Sequence, residues 1–153
     1  MKMKRIGLAA AVLTCLSVPA VAQEHWTDGP VWECSAYRTN PGQFDTYMQW
    51  LRSHALVTTG EAKKQGLIQD YKVFVKPPQD ANDYDVLICN LHASFAKALD
   101  FNQEDEDKFD AITAKHWATA ERDKQREQSA PRLEMRKFLG TTFVREVNLR
   151  PIG

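Results

Sequence analysis

Four alternating apolar segments and two amphipathic ones, in a fixed order, constrain this chain more than any other feature. Val31–Arg38, Leu67–Lys76, Tyr84–His92 and Thr141–Leu149 read as strands: each is rich in β-branched and aromatic residues and is bounded by turn formers. One helical segment separates the first two strands, and another separates the last two. The order strand–helix–strand–strand–helix–strand is the split βαβ pattern of a ferredoxin-like α+β sandwich. Such a sandwich carries an antiparallel four-stranded sheet in the order 4-1-3-2. Val86–Ile88 is continuously apolar, which predicts a central position for the third strand.

Local signals set the expected boundaries. Asn40 is the expected N-cap of the first helix, with Pro41 at the first helical position and Gln43 at the capping-box position. Phe44, Met48, Leu51, Ala55, Thr58 and Ala62 then recur at spacings of three and four, and the helix is expected to end near Gly66. Tyr47, Trp50, His54 and Val57 form a second stripe beside this core stripe. It reads as an interface patch, unless loops or the C-terminal helix cover it. Ala93–Leu99 reads as a helical turn. The acidic run Glu104–Asp107 starts a second long helix, expected to reach about Gln128, because carboxylates suit the positive helix start. Calcium is the weaker reading of that run, since spaced oxygen ligands are missing. Arg132–Leu139 is expected to form a short helix stopped by Gly140.

Upstream of the strands stands an export signal. Lys2, Lys4 and Arg5 precede the apolar run Ile6–Leu16, Pro19 follows, and Ala20-Val21-Ala22 offers a cleavage site. The expectation is a signal peptide over residues 1–22, cleaved after Ala22, and a periplasmic or secreted protein. Residues 23–30 read as a flexible leader, and 31–150 as one domain. Removing residues 1–22 takes three of the 20 Lys and Arg and none of the 20 Asp and Glu, so the mature charge is −3. That balance argues against a nucleic-acid partner, which needs a concentrated basic face. No second apolar run is long enough to span a bilayer, so no membrane association is expected after cleavage. Cys34 and Cys89 remain in an oxidising compartment. The 4-1-3-2 order makes their strands neighbours and allows a Cys34–Cys89 disulfide; the alternative is two small buried hydrophobes on the helix-facing side.

No GxSxG, HExxH, phosphate loop, dinucleotide fingerprint, CxxC pair or zinc-spaced cluster occurs, so neither metal nor cofactor is expected. What remains is polar side chains that strand alternation sends to one face. Glu33, Ser35 and Tyr37 share a face on the first strand; Asn90 and His92 share one with Val86 and Ile88 on the third. Glu33, Asn90 and His92 facing one cavity would supply a general base with hydrogen-bonding partners, and they are the catalytic candidates. The competing reading pairs Glu33 with an arginine or leaves it at a wet interface. Tyr37, Trp50, His54, Trp117 and Arg145 are the ligand-binding candidates: rings to stack on an aromatic molecule and a cation beside it.

Two stretches carry a family resemblance. They are Pro41-Gly42-x-Phe44-x-x-Tyr47 with the helix end Ala62-Lys63-Lys64-x-Gly66-Leu67-Ile68, and the closing Leu139-Gly140-x-x-x-Val144-Arg145-Glu146-Val147. The chain resembles small exported members of the dimeric α/β-barrel superfamily, related to antibiotic-biosynthesis-type monooxygenases. The resemblance implies a homodimer whose two sheets close a barrel around a small-molecule cavity. It implies a cofactor-independent monooxygenase, or an isomerase or cyclase, acting on an aromatic or hydrophobic substrate. A non-enzymatic carrier or a structural, stress-related module is the alternative. The asparagine–aromatic–histidine arrangement of the haem-degrading relatives has no match here, so haem is not implied.

Overall fold

The first strand, β1 (Trp26–Thr39), is long enough to pair along both of its edges. The computed structural model describes residues 25–152; the segment read as a signal peptide lies outside the described residues. After β1 come helix α1 (Phe44–Trp50), a π-helical turn (Leu51–Ala55) and α2 (Leu56–Lys64). Strands β2 (Asp70–Val75) and β3 (Val86–His92) follow. Four helices come next: α3 (Phe95–Leu99), α4 (Gln103–Trp117), α5 (Arg122–Ser129) and α6 (Pro131–Met135). Strand β4 (Arg136–Leu149) closes the fold.

The result is an α+β fold with a four-stranded antiparallel sheet in the order β2-β3-β1-β4. This is the expected order read from the opposite edge, and β3 is central, as its unbroken apolar run predicts.

Helices cover one face of the sheet. Tyr47 and Leu51 pack on Val86, with Tyr37 and Ile88 beside them. Ala62, Leu67, Ile68 and Ile112 form a second cluster against Tyr71. By strand alternation the other face carries three cross-strand rows: Phe74–Leu87–Ala36–Gly140, Lys72–Cys89–Cys34–Thr142 and Asp70–Leu91–Trp32–Val144. The middle row holds a disulfide between Cys34 and Cys89, whose Cα atoms are 4.1 Å apart. The cysteines therefore lie opposite the helices, not on the helix-facing side.

Several boundaries differ from expectation. Residues 26–30, read as leader, belong to β1, and Trp26–Asp28 pair with Leu149–Val147. The register slips between Asp28 and Val31, where Gly29-Pro30 makes a bulge. Proline lacks a ladder donor and is tolerated there. A Cβ on Gly29 would sit 2.9 Å from the Glu146 carbonyl oxygen, so only glycine fits. Asn40 does not cap α1. Its amide donates to the Glu134 carbonyl at 2.9 Å, tying the helix start to α6. The expected second helix is two, because Ala118 takes a left-handed conformation (φ 54°) that ends α4. The α4 start is Asn102, whose side chain accepts from the Asp105 amide. Leu67 and Ile68 are buried core residues ahead of β2 and not part of it. The expected 132–139 helix stops at Met135. Gly140 is no helix stop; it lies inside β4 beside a second register slip, opposite Ala36.

Candidate functional site

The π turn organises the first half of the site. Wide turns of this kind interrupt α-helices frequently at functional positions. Here the turn carries His54 and is braced by side chains: Ser53 Oγ donates to the Gln49 carbonyl at 3.0 Å, and Thr58 Oγ1 to the His54 carbonyl at 3.1 Å. Trp50 and His54, four residues apart, therefore project together toward α4.

There they meet the end of α4. His54 stacks on Trp117 at 4.7 Å between centroids and 17° between planes, and Trp50 lies 4.9 Å from His54. Tyr47 continues the row, nearly parallel to Trp50 at 6.3 Å. His54 Nδ1 and His116 Nε2 share a hydrogen bond of 2.9 Å. Desolvation, with the His116 ring second, holds the His54 pKa below its ordinary value. His54 is therefore mainly neutral at pH 7, and one nitrogen of the pair accepts.

These rings border a cavity of about 280 Å³ between the π turn, α4, α6 and the sheet. Tyr37, Trp50, His54 and Trp117, four of the five ligand-binding candidates, line it together. Two residues that sequence reasoning missed join them: Arg132 from α6 and Arg136 from the first position of β4. The Arg136 guanidinium lies 3.7 Å over the Tyr37 ring and 5.4 Å from that of Tyr47; Arg132 lies 5.7 Å from the Trp50 ring. Placing the strand boundary at Thr141 hid Arg136, because it left that residue in the interior of a helix.

The stripe read as an interface patch largely faces this cavity. Tyr47 is fully buried, and His116, Trp117 and Arg132 stand over Trp50 and His54. Of that stripe Val57 remains exposed, at 52%.

The second half of the site holds the catalytic candidates. Glu33, Asn90 and His92 line one cavity of about 200 Å³ under α3 and the start of α4. Glu33 lies directly across the ladder from Asn90 and diagonally from His92. Glu33 Oε2 and His92 Nε2 are 3.1 Å apart. Asn90 Oδ1 and His92 Nδ1 are buried without a hydrogen-bond partner among the described residues. Glu33 thus pairs with an imidazole and not with an arginine, and the histidine keeps one nitrogen free. Phe109, on α4, lines both this cavity and the ring-lined one.

Arg145 joins neither group. It forms an ion pair with Asp28, and its guanidinium lies 4.7 Å over the Phe95 ring. A larger hollow of about 490 Å³ lies between α2 and α4, on the other side of His116. Its acid, Glu61, is already held by Gln65 and Lys64, and its lysines Lys64 and Lys115 are exposed. It brings no polar groups to a point. Among the described residues no three acids, histidines or cysteines stand close enough to hold a metal ion, and no helix is long and apolar enough to cross a membrane. No family model matches this chain, and no curated protein or solved structure matches it either.

Proposed function

We propose that this is an exported protein of ferredoxin-like fold that binds a small aromatic or hydrophobic molecule in the ring-lined cleft. The observation that carries the reading is the row Trp50–His54–Trp117 beside a π turn, bordering a cavity of about 280 Å³, with Tyr47 buried behind Trp50. Stacked rings offer a flat ligand a large contact area with little loss of side-chain freedom. The molecule pairs as a homodimer across the helix-free sheet face, where Phe74 and Val144 are about half exposed beside Trp32, Leu87 and Leu91. Saturation-transfer NMR with a panel of one- and two-ring aromatics tests the binding. Transfer to at least one of them is expected, with loss in the Trp117→Ala variant. Silence across the whole panel removes the reading.

A second reading, catalysis, is favoured by one observation: the Glu33–His92 pair with its unpartnered Nδ1 in a neighbouring cavity. A carboxylate next to an imidazole can take a proton from a weakly acidic substrate and return it elsewhere, as isomerisation or cyclisation requires. Oxidation would need dioxygen as a further reactant. Glu33→Gln keeps the shape and removes the base. Turnover of a substrate that reaches the Glu33–His92 cavity is expected to fall by about 10²–10⁴, with binding retained. Unchanged turnover would take Glu33 out of the chemistry.

A further inference from the structure

We infer, on the reading that the ring-lined cleft is a ligand site, that its ligand is an aromatic carboxylate whose anionic end is held by Arg132 and Arg136. The charges around the cleft are one-sided. Two guanidinium groups line it, and no Asp or Glu does. Among the described residues neither arginine has a carboxylate within ion-pair distance or a side-chain hydrogen bond. Asp85, the acid whose charge is felt at Tyr47, is already occupied: one of its oxygens accepts from the Thr39 amide at 2.9 Å and the other from the Thr39 hydroxyl. The Nε atoms of both arginines are cut off from water and have no acceptor. The ion-paired Arg145 carries the same enclosed Nε, so what a ligand in the cleft can reach is the terminal N–H edge of each guanidinium.

The arginines are also oriented for this role. A guanidinium held against a tyrosine ring, as Arg136 is with its central carbon 3.7 Å from the Tyr37 ring centre, has lost much of its freedom and can still offer terminal N–H groups to a planar acceptor. A carboxylate matches that fork with two parallel hydrogen bonds. The rings of Trp50 and Trp117 and the apolar walls at Leu51, Ala55 and Ile88 suit the flat body attached to it. The size agrees: ligand pockets start at roughly 300 Å³, and about 280 Å³ accommodates one or two fused rings, not a polymer.

The test titrates the full chain with 1-naphthoate and with its neutral isostere 1-naphthamide, following tryptophan fluorescence and calorimetry. Naphthoate is expected to bind about tenfold to a hundredfold more tightly than the amide. The Arg132→Gln/Arg136→Gln variant is expected to erase that difference. Arg136→Lys keeps the charge but loses the fork, and is expected to fall between the two. Equal binding of both probes by the unaltered protein overturns the anionic ligand and leaves the aromatic cleft standing. Binding of neither overturns both. Should the double variant fail to fold, the ratio of the two probes on the unaltered chain still decides.

Discussion

Replacing Cys34 and Cys89 together by alanine is expected to lower the unfolding free energy by about 4 kcal/mol. The two cysteines stand 55 residues apart in sequence, so their bond closes a long loop in the unfolded chain. Unfolded conformations in which the ends of that loop separate are forbidden to the oxidised protein and open to the variant. In the chain-entropy account the cost of closure grows with the logarithm of loop length, and a loop of this size falls near the upper part of the usual range. For a domain of this length the loss corresponds to a drop of about 10–20 °C in Tm. Urea unfolding of the variant, and of the unaltered chain with and without reductant, measures it. The reduced chain should approach the variant, and the variant should ignore reductant. A loss below about 1 kcal/mol would mean that the β1–β3 ladder alone already fixes what the bond was thought to fix.

Tyr47→Ala is expected to cost about 3–5 kcal/mol, whereas Tyr47→Phe should cost less than about 1 kcal/mol. Tyr47 has no accessible surface, packs with Leu51 and Val86, and meets the Tyr37 ring edge-on at 6.2 Å. Truncation to alanine would leave a ring-sized void beside Leu51 and Val86 that close-packed neighbours fill only in part. The hydroxyl is a smaller matter. Burial pushes the Tyr47 phenol far above its ordinary pKa, so it stays protonated and carries no charge into the core. Calorimetric or urea unfolding of the two variants separates the contributions. A large loss in the phenylalanine variant would shift the weight from the ring to the hydroxyl.

The sheet was legible in the sequence because its signal is local and periodic. The apolar run at Val86–Ile88 marks the central strand, and the order of segments leads to the β2-β3-β1-β4 arrangement. Alternation also put Glu33 on the same face as Asn90 and His92 once strands one and three were neighbours. The failures lie where long-range contacts override local preference. Asn40 looks like a helix cap, but α6 claims its amide. Arg132–Leu139 has the composition of a helix, yet pairing with Thr39, Arg38 and Tyr37 draws Arg136, Lys137 and Phe138 into β4. That one boundary concealed Arg136. The π turn has no periodic signature, because it changes the period that a sequence pattern uses. The rings it gathers therefore looked like an outward stripe.

The ladder between β1 and β4 brings the described ends of the chain together. Trp26 pairs with Leu149, and the Arg150 amide donates to the His25 carbonyl at 2.8 Å. In mechanical terms a pull on these two ends opens the β1–β4 ladder like a zipper, one rung at a time, and not by shearing all rungs together. Tension travelling down β1 then meets Cys34 and crosses directly to Cys89. Once the remaining rungs from Ser35 to Thr39 have opened, the covalent path skips the chain between those two residues, including the π turn with Trp50 and His54. Three of the four rings of the aromatic row, Tyr47, Trp50 and His54, thus lie inside a covalent bypass.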